Sequence, residues 1–129
     1  MNLTLAAQIV SYGTCLFLLP FFLAAYFAPM SRINLASVGL VPTESNRIAG
    51  LSNLRGTVGG LRLAIIAMIL FGAYDGRSDL LLAAAILVGA IAAGRYLSLG
   101  LDGWNKTSFI TATGELVIVA ALLHLGGFV

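Results

Sequence analysis

Three charged side chains lie well inside long apolar stretches of this sequence: Arg62, Arg95 and Glu115. The guanidinium group of arginine presents a planar fork of N–H donors that suits carboxylate and phosphate oxygens. A glutamate that is shielded from water can balance such a cation, or it can act as a general acid or base. The residue types therefore predict either binding of an oxygen-rich group or proton transfer in apolar surroundings.

Other polar residues accompany these charges at helical spacing. Ser98 and Asp102 follow Arg95 by three and seven residues, and Arg55 precedes Arg62 by seven. Residues at such spacings share one face of a helix. We therefore expect a site whose interior holds the three charges and whose entrance is framed by the other polar residues. The predicted ligand-binding set is Asn53, Arg55, Arg62, Arg95, Ser98, Asp102 and Glu115, and Glu115 is the candidate catalytic residue if the protein is an enzyme.

The composition places these charges in a membrane. The chain has 129 residues, of which 60% are hydrophobic and 9% charged, and its net charge is +2. Soluble domains carry about 25% charged residues, so both a soluble and a disordered protein are excluded. The small positive charge does not support binding of nucleic acid through phosphate contacts. One cysteine (Cys15) and one histidine (His124) leave neither an internal disulfide nor a thiolate–imidazole metal site.

Four apolar segments are long enough to cross a bilayer, which takes about 20 residues in a helix. They cover residues 5–28, 54–74, 80–101 and 107–129 approximately. Transmembrane β-strands would be shorter and would alternate with polar residues, and these segments do neither. We therefore predict an all-α fold, a single membrane domain over residues 1–129 that forms a four-transmembrane-helix bundle with up-down topology. Residues 29–53 would form an interfacial connection.

In that topology the three intramembrane charges lie at one level. At a rise of about 1.5 Å per residue, Arg62 and Glu115 are about 12 Å from one membrane face and Arg95 is about 9 Å from it. A lone charge at the centre of a spanning helix costs about 2.5–3.5 kcal/mol, which favours mutual pairing. Two interpretations follow. The charges form an ion-pair network that fixes helix register, or they line a pocket whose surplus positive charge receives an anionic headgroup, a carboxylate or a polarised carbonyl.

The few charges outside the apolar segments predict the orientation. Arg32, Arg47 and Lys106 lie in connections on one side of the membrane, and Arg77 lies in the connection on the other side. Because positively charged loops stay in the cytoplasm, both termini are expected outside it.

Two blocks of sequence resemble a family of small four-helix bacterial membrane proteins. One is Gly-Arg-x-x-Ser-x-x-x-Asp-Gly over residues 94–103, followed by Glu115; the other is Asn-x-Arg-Gly-x-x-Gly-Gly-x-Arg-Leu over residues 53–63. That family is known only as a domain of unknown function and is distantly similar to DoxX-type membrane proteins. The resemblance implies a bacterial inner membrane protein. DoxX-type relatives imply quinone-linked or thiol-linked chemistry, although the lone Cys15 does not support dithiol exchange.

The expected function is non-enzymatic. We predict binding of an anionic lipid or an amphipathic ligand, or a role as accessory subunit of a larger membrane complex. Membrane lipids are then the expected partners, with a larger complex or a homo-oligomer as the protein partner. No resident cofactor is expected, although a bound lipid or quinone would fit the site. The alternative is a membrane enzyme, an isomerase or quinone-linked oxidoreductase, that uses Glu115 as its acid or base.

Overall fold

The computed structural model describes residues 3–34, 51 and 54–129, and within them the regular secondary structure is helical. The helices are α1 (Leu3–Phe27), α2 (Gly60–Asp75), α3 (Ser78–Leu101) and α4 (Lys106–Leu125), with a π-helical turn (Leu54–Gly59) leading into α2. Four helical stretches of this part of the chain are long and apolar enough to cross a membrane, the second being Arg55–Asp75. The predicted all-α class with four spanning helices is confirmed, and the protein is a multi-pass membrane protein.

The predicted interfacial connection, residues 29–53, lies largely outside the described residues. Its first part is visible: a turn follows α1, and residues 32–34 form a short helical segment. Ser31 N donates to the carbonyl oxygen of Ala28 at 2.8 Å within that turn. The chain therefore leaves the path of α1 soon after Phe27.

The two ends of α4 are set by a capping residue and a glycine rather than by the extent of apolar sequence. Asn105 caps α4, because its side-chain oxygen accepts a hydrogen bond from Ser108 N at 3.0 Å. The helix ends at Leu125, although the apolar sequence continues to Val129. Gly127 has a φ of 75°, a left-handed conformation that stops a helix and that glycine adopts at little cost.

The described chain packs as two compact units. The first unit comprises Met1–Thr14 and Met68–Val129, and the second unit comprises Cys15–Ala67. In the first unit, one face of α3 is buried from Leu81 to Ala92, and its members recur at helical spacing. They are Leu81, Ala84, Ala85, Val88 and Ala92.

Within the first unit, α3 and α4 pack against each other in antiparallel register. Tyr96 Oη lies 2.9 Å from Thr113 Oγ1. Closer to the start of α3, a Cβ built on Gly89 would lie 3.7 Å from Val119 Cγ2. Contacting residues thus have higher numbers on α4 where they have lower numbers on α3, as expected for antiparallel helices. The small alanine side chains of the buried α3 face permit a close approach, and this register sets which polar residues can meet.

The α2–α3 turn contains a close contact that requires glycine. A Cβ at Gly72 would lie 2.8 Å from Leu81 Cγ and 3.2 Å from the carbonyl oxygen of Arg77. The same turn is closed by a hydrogen bond from Arg77 N to Gly72 O at 2.9 Å. Leu81 is itself buried, so it has little room to move away.

We expect Gly72→Ala to be less stable than the matched variant Gly89→Ala. Both changes gain about 1 kcal/mol of helix propensity, but only Gly72→Ala introduces overpacking, which costs about 1–3 kcal/mol. Unfolding midpoints in detergent micelles measure the difference. Equal midpoints, or a more stable Gly72→Ala, would show that the contact with Leu81 is loose.

Candidate functional site

Arg95 on α3 and Glu115 on α4 form an ion pair within the membrane-spanning part of the first unit. Arg95 Nε donates to Glu115 Oε1 at 3.0 Å and to Oε2 at 3.2 Å. Helical side chains lean toward the N-terminus of their own helix. Since α3 and α4 run in opposite directions, these two side chains lean toward each other. Two of the residues predicted for the site are thus in direct contact.

The ion pair uses only part of the hydrogen-bonding capacity of Arg95. Nε makes both bonds to Glu115, and the two Nη atoms have no acceptor among the described residues. The side chain of Arg95 is 39% exposed, whereas that of Glu115 is 15% exposed. The pair therefore combines a largely enclosed carboxylate with a guanidinium whose outer N–H groups remain accessible.

Ser98 and Asp102 lie on the same face of α3 as Arg95, toward the end of the helix. Ser98 Oγ donates to Asp102 Oδ2 at 2.6 Å, and Asp102 N donates to the carbonyl oxygen of Ser98 at 2.7 Å. Both side chains are exposed. The first of these bonds turns the Asp102 carboxylate back along α3, toward the preceding turn that contains Ser98.

A cluster of three aromatic residues, Tyr96, Trp104 and Phe109, lies near the end of α3 and the start of α4. The ring centroids of Trp104 and Phe109 are 5.0 Å apart, and those of Tyr96 and Phe109 are 6.1 Å apart with an edge-on geometry. Trp104 is strongly exposed. Exposed tryptophan and tyrosine are typical of the membrane–water interface, where one side of the ring is wet. These aromatic residues are thus of the type found where a spanning helix ends.

Arg62 belongs to the second unit and is held there by backbone and amide oxygens. Arg62 Nη1 donates to the carbonyl oxygen of Phe21 at 3.1 Å and to Asn34 Oδ1 at 3.3 Å. Its guanidinium carbon also lies 5.6 Å from the centroid of the Phe21 ring, in a cation–π contact. These contacts join α2 to α1 and to the turn that follows it.

Asn34 completes this arrangement, and sequence reasoning missed it. The residue is fully buried, and its Nδ2 donates to the carbonyl oxygen of Pro29 at 2.8 Å. Its amide thus accepts from Arg62 on one side and donates to the turn on the other. A polar residue in a semi-apolar connection was the available signal, but its burial depends on how the turn folds back.

Arg55 stabilises the end of α1. Its Nε donates to the carbonyl oxygen of Tyr26 at 3.0 Å, in the last turn of that helix. Carbonyl groups there lack intrahelical donors, and a cation also complements the negative end of the helix dipole. Asn53, the remaining predicted site residue, lies outside the described residues.

We expect a coupling free energy of about 0.5–3 kcal/mol between Arg95 and Glu115 in a double-mutant cycle with Arg95→Gln and Glu115→Gln. Removing one partner leaves the other charge poorly solvated in the membrane, so the two changes should not be additive. The matched control is the pair Arg77–Asp79, whose side chains are 58% and 62% exposed and therefore screened by solvent. Unfolding in detergent measures both cycles. A coupling no larger than that of the control would contradict the structural importance of the Arg95–Glu115 pair.

Asn34→Ala should lower the free energy of unfolding by about 1–3 kcal/mol, because it removes a buried acceptor from Arg62 and a donor from the Pro29 carbonyl. Arg32→Ala is the matched control, since Arg32 is exposed in the same short segment. The same detergent unfolding experiment compares the two. Equal stability of the two variants would mean that the Asn34 contacts contribute nothing.

A family model described as "Domain of unknown function (DUF4345)" matches residues 6–125 of the chain. No curated protein and no solved structure matches it. The matched range contains both units' arginines, the Arg95–Glu115 pair and the Ser98–Asp102 pair. The expected membership of a family of unknown function is confirmed. Because the match spans nearly all of the four helices, the chain belongs to the DUF4345 family.

Proposed function

We propose that the Arg95–Glu115 pair binds the polar group of an anionic lipid or another amphipathic ligand. The observation that carries this proposal is that the ion pair uses only one of the three nitrogen atoms of the Arg95 guanidinium. Nε is occupied by Glu115, while both Nη atoms have no acceptor among the described residues. A ligand oxygen would bind these outer N–H groups without displacing the carboxylate.

The energetics of the membrane support this assignment. An N–H group without an acceptor in hydrocarbon costs several kcal/mol, so the outer edge of Arg95 requires an oxygen. The two Nη atoms form a planar fork that binds the paired oxygens of a phosphate or a carboxylate. Arg95 lies about 9 Å from the end of α3 along the helix axis. Phosphate and ester groups of lipids supply such oxygens near that end of the helix.

The geometry favours binding over catalysis by Glu115. Both carboxylate oxygens accept a hydrogen bond from Arg95 Nε. A general acid or base needs an oxygen within hydrogen-bond reach of the substrate proton. The side chain of Glu115 is only 15% exposed, whereas that of Arg95 is 39% exposed, so a bound molecule reaches the guanidinium more readily than the carboxylate. Glu115 acts in this proposal as the group that holds and orients Arg95.

The proposal includes a location. Spanning helices and a headgroup-binding arginine suit the bacterial inner membrane, with both termini outside the cytoplasm. Lys106 and Arg32 then lie on the cytoplasmic side and Arg77 on the opposite side, in keeping with the positive-inside rule. In this orientation the end of α3, with Ser98 and Asp102, lies toward the cytoplasmic leaflet.

We expect Arg95→Gln to lose bound lipid. Native mass spectrometry of protein released from nanodiscs that contain phosphatidylglycerol measures how many lipid molecules stay attached. Loss of a charge-assisted fork should reduce the retained lipid by roughly tenfold or more. The matched control Arg77→Gln removes an exposed arginine outside the spans and should retain lipid as the wild type does.

Two further variants separate binding from folding and from catalysis. Arg95→Lys keeps the charge but lacks the fork, so it should retain an intermediate amount of lipid while folding normally. Glu115→Gln should keep most of the lipid binding, because the amide oxygen of glutamine can still accept from Arg95 Nε and so hold the outer N–H groups in place. If Arg95→Gln and Arg95→Lys, both folded, retain lipid as the wild type does, the proposed binding site is wrong.

A further inference from the structure

We infer that the ligand of this site is an aminophospholipid, whose phosphate binds Arg95 and whose ammonium group binds Asp102. The inference rests on the proposed function, since it names the class of lipid that the Arg95–Glu115 site takes. Its basis is the pairing of an open donor group with an open acceptor group on one face of α3.

The donor and the acceptor are both identified by contacts within α3 and α4. At the deeper position, Arg95 offers the Nη groups that Glu115 leaves unused. Near the end of α3, Asp102 uses Oδ2 to accept from Ser98, while Oδ1 has no side-chain donor among the described residues. The bond from Ser98 holds the carboxylate on the face that Arg95 shares, so the two open groups belong to one binding surface.

The separation of the two groups suits the length of an ethanolamine headgroup. Asp102 follows Arg95 by seven residues. At about 1.5 Å per residue, that is a rise of about 10.5 Å between their backbone positions along the helix axis. Both side chains lean toward the start of α3, so this rise approximates the axial separation of their polar groups. Two charge-assisted hydrogen bonds of about 2.8 Å, one at each end, take up roughly half of this rise. The stretch of headgroup from phosphate to ammonium fills the remainder.

The order of the charges also matches the orientation of a lipid in the bilayer. In an aminophospholipid the phosphate lies nearer the hydrocarbon, and the amine extends toward water. On α3 the cation, Arg95, lies deeper and the anion, Asp102, lies at the helix end. A headgroup with only negative charge would bring its outer part against the Asp102 carboxylate. Charge complementarity therefore favours a headgroup that carries an ammonium group over a purely anionic one.

The test is a competition in nanodiscs that contain equal amounts of phosphatidylethanolamine and phosphatidylglycerol. Native mass spectrometry reads the ratio of the two lipids retained by the protein. The wild type should retain phosphatidylethanolamine in preference, by roughly tenfold, the size of one charge-assisted hydrogen bond. Asp102→Asn should bring the ratio close to one, because it lowers the retention of phosphatidylethanolamine and leaves that of phosphatidylglycerol unchanged. Asp79→Asn removes an exposed acid at the opposite end of α3 and should keep the wild-type ratio.

A third lipid makes the test independent of any variant. Phosphatidylcholine has the same charges as phosphatidylethanolamine, but its quaternary ammonium has no N–H group to donate to Asp102. The wild type should therefore prefer phosphatidylethanolamine to phosphatidylcholine as well. A wild type without either preference overturns the inference even if Asp102→Asn cannot be purified.

The outcomes for the two proposals are distinct. If Arg95→Gln loses lipid but Asp102→Asn keeps the wild-type ratio, headgroup binding stands and the assignment of an aminophospholipid is overturned. If folded Arg95→Gln retains the same lipids in the same ratio as the wild type, both proposals fail. Loss of the preference in Asp102→Asn alone, with lipid still bound, supports the role of Asp102 in recognising the amine.

Discussion

A guanidinium group within a membrane span has to find oxygen atoms, and this requirement governs the first unit of the protein. Arg95 finds two of them on Glu115, at 3.0 and 3.2 Å from Nε. The contact exists because α3 and α4 are antiparallel and the buried α3 face is built mainly of alanine and other compact residues. Packing of small apolar side chains thus sets the register, and the register brings the charges together. The proposed binding activity uses the N–H groups that remain.

The second unit meets the same requirement with backbone oxygens. Arg62 and Arg55 donate to carbonyl groups of Phe21 and Tyr26, in the C-terminal part of α1. The buried amide of Asn34 supplies Arg62 with a further acceptor. In this unit the arginines join α1, α2 and the following turn, and their predicted role in binding a ligand stays a prediction. Arg95 thus pairs with a carboxylate, whereas Arg55 and Arg62 donate to neutral carbonyl and amide oxygens.

Much of the fold followed from composition, because long apolar segments with few charges have only one stable form in a bilayer. The contact of Arg95 with Glu115 could also be predicted, since both stand alone in spans that a short connection makes antiparallel. The acceptors of Arg62 could not, because backbone carbonyl oxygens carry no signal in a sequence. The role of Asn34 could not be predicted either, because its burial depends on how the turn after α1 folds. The end of α4 at Leu125 reflects the left-handed conformation of Gly127, which apolar composition does not reveal.

The most direct measurement of the central claim is a solid-state NMR distance between lipid phosphorus and arginine nitrogen, with ¹⁵N-labelled arginine in phospholipid bilayers. A difference spectrum against Arg95→Gln assigns the signal to Arg95. The account predicts ³¹P–¹⁵N coupling at the Nη atoms of Arg95, together with proximity of Nε to the Glu115 carboxyl carbon. Coupling that is absent, or that is unchanged in Arg95→Gln, would contradict a headgroup bound at this pair.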